Sequence, residues 1–101
     1  SVAAALESLV ALPAERFTAV LGVMAELGPT SDDEHAAIGA LAERLGVRLI
    51  AVDAPAYGGE QVGSVDEARA ALGPLGPGDA VLVKGSRVAG LERLAELLLE
   101  G

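Results

Sequence analysis

Apolar positions along this chain switch between a helical period and short continuous runs of strand length. Val2, Leu6, Leu9 and Val10 fall on one helical face, and the spacing predicts a helix over residues 1–12. Pro13 stops it, because proline supplies no N–H to the helical ladder. Residues 16–21 read as a strand whose Ala19-Val20-Leu21 end is apolar on both faces. A loop follows over 22–30, punctuated by Gly28-Pro29. Ser31, with Glu34 three residues on, is a capping box, in which hydroxyl and carboxylate satisfy backbone N–H groups at a helix start. The helix so opened carries Ile38, Leu41, Ala42 and Leu45 on one face, and Gly46 closes it.

The second half repeats the alternation. Residues 47–52 form another apolar run, and 53–63, with Pro55, Gly58, Gly59 and Gly63, read as a loop with a brief strand at Gln61-Val62. Ser64 with Glu67 is a second capping box and starts a short helix through Leu72. After the tight connection Gly73-Pro74 and Gly76-Pro77-Gly78, Asp79 leads into residues 80–83, the clearest buried strand by sequence. Gly85-Ser86-Arg87 then turns into a last predicted helix with Leu91, Leu94, Ala95 and Leu98 on one stripe. Helices alternating with strands that are apolar on both faces predict a mainly parallel sheet covered on both sides. The expectation is a small Rossmann-like three-layer α/β domain, one unit over 101 residues.

Composition narrows the partners. Hydrophobic residues make up 51% of the chain but aromatics only 2%, so alanine, leucine and valine must fill the interior. That leaves little with which to stack on bases or a sugar ring. A formal charge of -8 repels phosphate backbones and anionic lipid, arguing against nucleic-acid and membrane-surface partners. No apolar run approaches the roughly 20 residues a membrane span needs, and the first helix lacks the basic flank of a signal peptide. The absence of cysteine excludes disulfides, thiolate metal sites and thiol nucleophiles, and fits a cytoplasmic protein.

In open parallel sheets ligands bind beyond the carboxyl ends of the strands, where loops meet helix N-termini. Residues 22–30, 53–63 and 84–87 qualify. In the last, Lys84 and Arg87 flank Gly85 and Ser86 at a helix start, which suits a carboxylate or a phosphate. The plainer reading is a serine cap with two solvent-facing cations. Gly22 and Gly28 allow close backbone approach to a ligand, and equally a simple turn. His35 is the chain's single histidine and Lys84 its single lysine. Nothing near His35 in sequence makes a triad or a metal cluster, so packing competes with a ligand role. Asp32, Asp33 and Glu34 suit the positive end of a helix without a metal. The sequence has neither a phosphate-binding Gly-x-x-x-x-Gly-Lys-Ser/Thr loop nor a dinucleotide Gly-x-Gly-x-x-Gly fingerprint after a strand.

Two separated stretches resemble the third, C-terminal domain of the Mur ligases. Ala19-Val20-Leu21-Gly22-Val23-Met24-Ala25-Glu26-Leu27-Gly28, followed by Glu34-His35 and Ile38-Gly39, is similar to that domain's opening. Pro77-Gly78-Asp79-Ala80-Val81-Leu82-Val83-Lys84-Gly85-Ser86-Arg87, followed by Leu91-Glu92, is similar to the second signature of the D-alanyl-D-alanine-adding (MurF) type. Val65-Asp66-Glu67-Ala68 fits the short helix between them.

The resemblance implies a domain that closes over ATP and UDP-muramoyl-tripeptide and helps to bind D-alanyl-D-alanine. ATP and magnesium would be held mainly by a central domain of the same chain, and the UDP-sugar by an N-terminal one. It implies that Lys84, Ser86 and Arg87 lie near the dipeptide, close to its carboxylate. His35 and the 22–28 loop would line the same cleft, with Gly22 and Gly28 toward the nucleotide. The family commonly has aspartate where this chain has Val23, and its loop after the position of Asp53 is longer. The family's Tyr-Asn-Ala-Asn-Pro segment would precede Ser1, so the expectation is a domain cut from a longer protein, with no catalytic residue of its own and no ATP hydrolysis alone. Two alternatives stay open. One is a glutamate-adding or folate-polyglutamating relative, and the other is a stand-alone anion-binding module without chemistry.

Overall fold

The computed structural model describes residues 2–22 and 31–84, Ser31 through its backbone only. Their elements follow in the order α1 (Val2–Val10), β1 (Arg16–Leu21), α2 (Ser31–Leu45), β2 (Arg48–Val52), β3 (Glu60–Val62), α3 (Val65–Leu72) and β4 (Asp79–Lys84). One four-stranded sheet runs in the order β3-β2-β1-β4, and each pairing is parallel. The predicted α/β class and three-layer arrangement are those of the structure.

The layers follow from the strands' two apolar faces. Ala19, Leu21 and Ala51 pack into one core with Leu6, Leu9 and Ala42 of α1 and α2. Val20, Ile50 and Val52, alternating with them along the same strands, pack on the other side with Ala68 and Leu72 of α3. All six strand positions are fully buried, as a central parallel strand requires. β4 departs from the expectation: it is only half-buried along its length. Its sequence is as apolar as that of β1, but it stands at the end of the sheet order, paired with β1 on one side.

Local chemistry sets the boundaries. α1 ends at Val10, two residues before the predicted limit, where Ala11 and Leu12 donate to Ser8 and Leu9 carbonyls three residues back and tighten the last turn ahead of Pro13. At the end of α2 the Val47 N–H reaches the Ala42 carbonyl and the Gly46 N–H the Glu43 carbonyl, the paired bonds of a Schellman ending. Gly46 takes φ +73° to make that turn. Ser64 caps α3 as expected, its Oγ accepting from the Glu67 N–H at 3.2 Å. The Glu67 carboxylate reaches back to the Gly63 N–H, one residue earlier than a standard capping box places it. The Ser31 side chain lies outside the described residues, and so does the helix expected after Arg87.

Ion pairs tie the strand starts together. Arg16 donates to Asp79 at 2.6 Å across the β1–β4 pair, and Arg48 holds Glu60 through two nitrogens while also donating to the Ala71 carbonyl at 2.9 Å. The Arg16 guanidinium, and then the Gly76 N–H, hold the Asp79 carboxyl below the usual range; the Arg48 guanidinium does the same for Glu60.

Candidate functional site at the carboxyl edge

A parallel sheet sends all its strands out at one edge. Register pairs Leu21 with Lys84 and with Ala51, and Val52 with Val62, so Gly22, Lys84, Asp53 and Gly63 emerge side by side. The Gly22 N–H donates to the Lys84 carbonyl at 2.9 Å, extending the β1–β4 ladder one residue beyond β1. The only lysine of the chain therefore stands beside the first predicted glycine. Lys84 is half-buried and Gly22 buried. Asp53, exposed at the end of β2, has φ +50°, the one non-glycine left-handed residue among those described. Its N–H donates to the Val62 carbonyl at 2.8 Å, extending the β2–β3 ladder one residue beyond β2.

His35 belongs to the first turn of α2 and is 3% exposed. Its ring meets Tyr57 edge to face, with centroids 4.3 Å apart and planes at 67°, a favoured aromatic geometry. Tyr57 ends a single 3-10 turn, Pro55–Tyr57, inside the stretch read from sequence as a loop. Its buried hydroxyl donates to the Gly22 carbonyl at 2.8 Å. α2 approaches this turn so closely that a Cβ on Gly39 would stand 1.9 Å from the Tyr57 carbonyl oxygen. His35, Tyr57 and Gly22 thus form one buried cluster under the carboxyl edge.

Sequence reasoning missed Tyr57. The signal was present: it is the single tyrosine of a chain almost without aromatics, set between Pro55 and Gly58-Gly59. A buried tyrosine needs a partner for its hydroxyl, so such a residue marks a specific polar contact. Gly39, in mid-helix, was a second signal of close approach. Gly28, Ser86 and Arg87 lie outside the described residues, and Gly22, His35 and Lys84 lie within them.

The opposite, amino edge carries an open groove of about 740 Å³ lined by Arg16, Phe17, Arg48, Leu72, Leu75 and Asp79 among others. Its two arginines already hold Asp79 and Glu60. The groove therefore presents cations engaged with their own carboxylates, whereas Lys84 stands beside the end of β1 at the other edge. Among the described residues no group of three or more histidine, cysteine, aspartate or glutamate side chains fits a metal ion. No helix there is long and apolar enough to cross a membrane.

A lysine beside a glycine at the carboxyl edge of an open parallel sheet stands where Rossmann-like domains meet their ligands. The family model for the "Mur ligase, glutamate ligase domain" matches residues 1–87. The chain is also 41% identical, over 104 aligned positions, to UDP-N-acetylmuramoyl-tripeptide–D-alanyl-D-alanine ligase of Mycobacterium leprae. That alignment covers 85% of this chain and 20% of the relative, so the chain spans about a fifth of the relative's length. The chain belongs to the Mur ligase family. Both expected signature regions, around Gly22 and Lys84, fall within the matched residues.

Proposed function

We propose that this chain is the C-terminal domain of an ATP-dependent, cytoplasmic ligase of peptidoglycan-precursor synthesis, which helps to bind D-alanyl-D-alanine and closes over ATP and UDP-muramoyl-tripeptide. The observation that carries this reading is the hydrogen-bonded junction of Gly22 with Lys84 at the carboxyl edge, in a chain 41% identical to a ligase named for that dipeptide. Lys84, with Ser86 and Arg87 following it in sequence, would hold the dipeptide carboxylate by charge-assisted hydrogen bonds. Gly22 and Gly28 would let the backbone approach the nucleotide. His35 would support the cleft from below, through the buried contact with Tyr57.

ATP, when bound, supplies activation of the substrate carboxylate as an acyl phosphate. The work of this domain is positioning: fixing the dipeptide's carboxylate orients its amine for attack and raises its effective concentration. Lys84 at the carboxyl edge suits an anion, and magnesium would be held mainly by the other domains of the full-length protein.

The family description names glutamate and the relative's name D-alanyl-D-alanine, so the acceptor is the point to test. In the full-length protein supplied with ATP and UDP-muramoyl-tripeptide, amide formation is expected to favour D-alanyl-D-alanine over free glutamate by at least about tenfold, a difference of about 1.4 kcal/mol between the two acceptors. A preference for glutamate would replace the dipeptide reading with the glutamate-adding one. Anion binding without ATP-dependent amide formation would leave a binding module.

A further inference from the structure

Asp53 is the exception among the described left-handed positions. Gly46, Gly58, Gly59 and Gly73 take positive φ with no Cβ to clash, whereas Asp53 takes φ +50° while carrying a side chain. Aspartate tolerates this region better than most residues, but glycine would make the turn without strain, so the outlier points to a use for the carboxylate. Asp53 is exposed. Among the described residues the ion pairs are those of Arg16 with Glu15 and Asp79 and of Arg48 with Glu60, all at the amino edge, and neither Asp53 nor Lys84 takes part in them.

The sheet sets the distance between these two charges. Leu21 of β1 pairs with Ala51 and with Lys84, so Asp53 stands two strands across from Lys84 and two residues further along. At about 4.8 Å per strand and about 3.3 Å per residue, the two Cα positions lie about 12 Å apart. A dipeptide carries an ammonium at one end and a carboxylate at the other. Extended, it spans about 7 Å, and a hydrogen bond of about 3 Å at each end brings the whole to about 13 Å. We propose that Asp53 is a positioning and specificity residue for the incoming dipeptide: its carboxylate holds the dipeptide's ammonium while Lys84 holds the dipeptide's carboxylate. This rests on the ligase reading above. Asp53 fixes where the amine waits, and no proton transfer is assigned to it. A free amino acid bears its α-ammonium and α-carboxylate on one carbon and does not span the pair. Free glutamate also brings a second carboxylate, which Asp53 repels.

The test compares Asp53→Asn and Asp53→Gly in the full-length protein. Asparagine keeps the shape and the tolerance of positive φ without the charge, and glycine removes the strain as well. Both thermal midpoints are expected within about 3 degrees of wild type. KM for D-alanyl-D-alanine is expected to rise about 3- to 10-fold in both, the low end for a hydrogen bond between charged groups because Asp53 is exposed. KM for ATP and kcat should stay within about twofold, and the preference for the dipeptide over glutamate should narrow by about the same factor as KM rises. An aspartate with a merely structural role would lower the midpoint or the active fraction and leave KM for the dipeptide unchanged, which would overturn the proposal. Equal rises in KM for ATP and for the dipeptide would overturn it too. A wild-type protein that forms no amide with the dipeptide sinks the ligase reading and this proposal with it. Wild-type turnover of the dipeptide, with KM unchanged in both variants, sinks the proposal alone.

Discussion

Replacing Gly39 with alanine is expected to destabilise the chain by about 2–4 kcal/mol, although alanine is the better helix former. Propensity alone predicts a gain of roughly 1 kcal/mol for this change in a helix interior. Packing opposes it. The added methyl would stand 1.9 Å from the Tyr57 carbonyl oxygen and 3.0 Å from its carbonyl carbon, both backbone atoms that no rotamer change can move. Relief requires the 3-10 turn to draw back from α2, and overpacking of this kind costs about 1–3 kcal/mol before other losses. Moving Tyr57 also breaks its bond to Gly22 and its contact with His35, adding about 1–2 kcal/mol. The check is urea unfolding of Gly39→Ala beside Ala40→Gly, its exposed helix neighbour. Both should lower the midpoint, the first more. Stabilisation by Gly39→Ala would mean that the close approach is not there.

The second large effect is on catalysis. In the full-length protein Lys84→Ala is expected to lower kcat/KM for D-alanyl-D-alanine by about 10- to 100-fold, the range for one hydrogen bond to a charged group. Most of the loss should appear in KM, because the carboxylate Lys84 would hold is the same in ground and transition states. Arg16→Ala provides the matching control. It removes a cation from the other edge of the same sheet, where the side chain is 61% exposed and its guanidinium is bound to Asp79. Its kcat/KM should remain within about threefold of wild type, since exposed ion pairs contribute little. Equal losses in both variants would show a general stability effect and not a ligand contact.

What the sequence made legible depended on how local the determinant was. The strands β1 and β2, the ends of α2 and α3 and the Ser64 cap are written in adjacent residues: apolar runs, a glycine stop, a hydroxyl followed by a carboxylate. The carboxyl-edge position of Gly22 and Lys84 followed from the parallel sheet itself. The edge place of β4 was not legible, because burial depends on strand order, which apolar content does not encode. Tyr57 was missed for a related reason. Its partners, Gly22 and His35, are 35 and 22 residues away, and no periodic pattern joins them. The 3-10 turn that carries it is too short to leave a helical period, so it read as loop. His35 drew attention as a lone titratable group, and the structure places it buried against the Tyr57 ring.

The central claim is that the carboxyl edge, where Gly22 and Lys84 meet, is the surface that closes on the ligands. Hydrogen exchange of the full-length protein tests it most directly, compared with and without a non-hydrolysable ATP analogue, UDP-muramoyl-tripeptide and D-alanyl-D-alanine. Slower exchange at residues 22–28 and 84–87, with none at 74–79 along the amino-edge groove, is the result predicted here. Protection confined to residues 74–79 would contradict it.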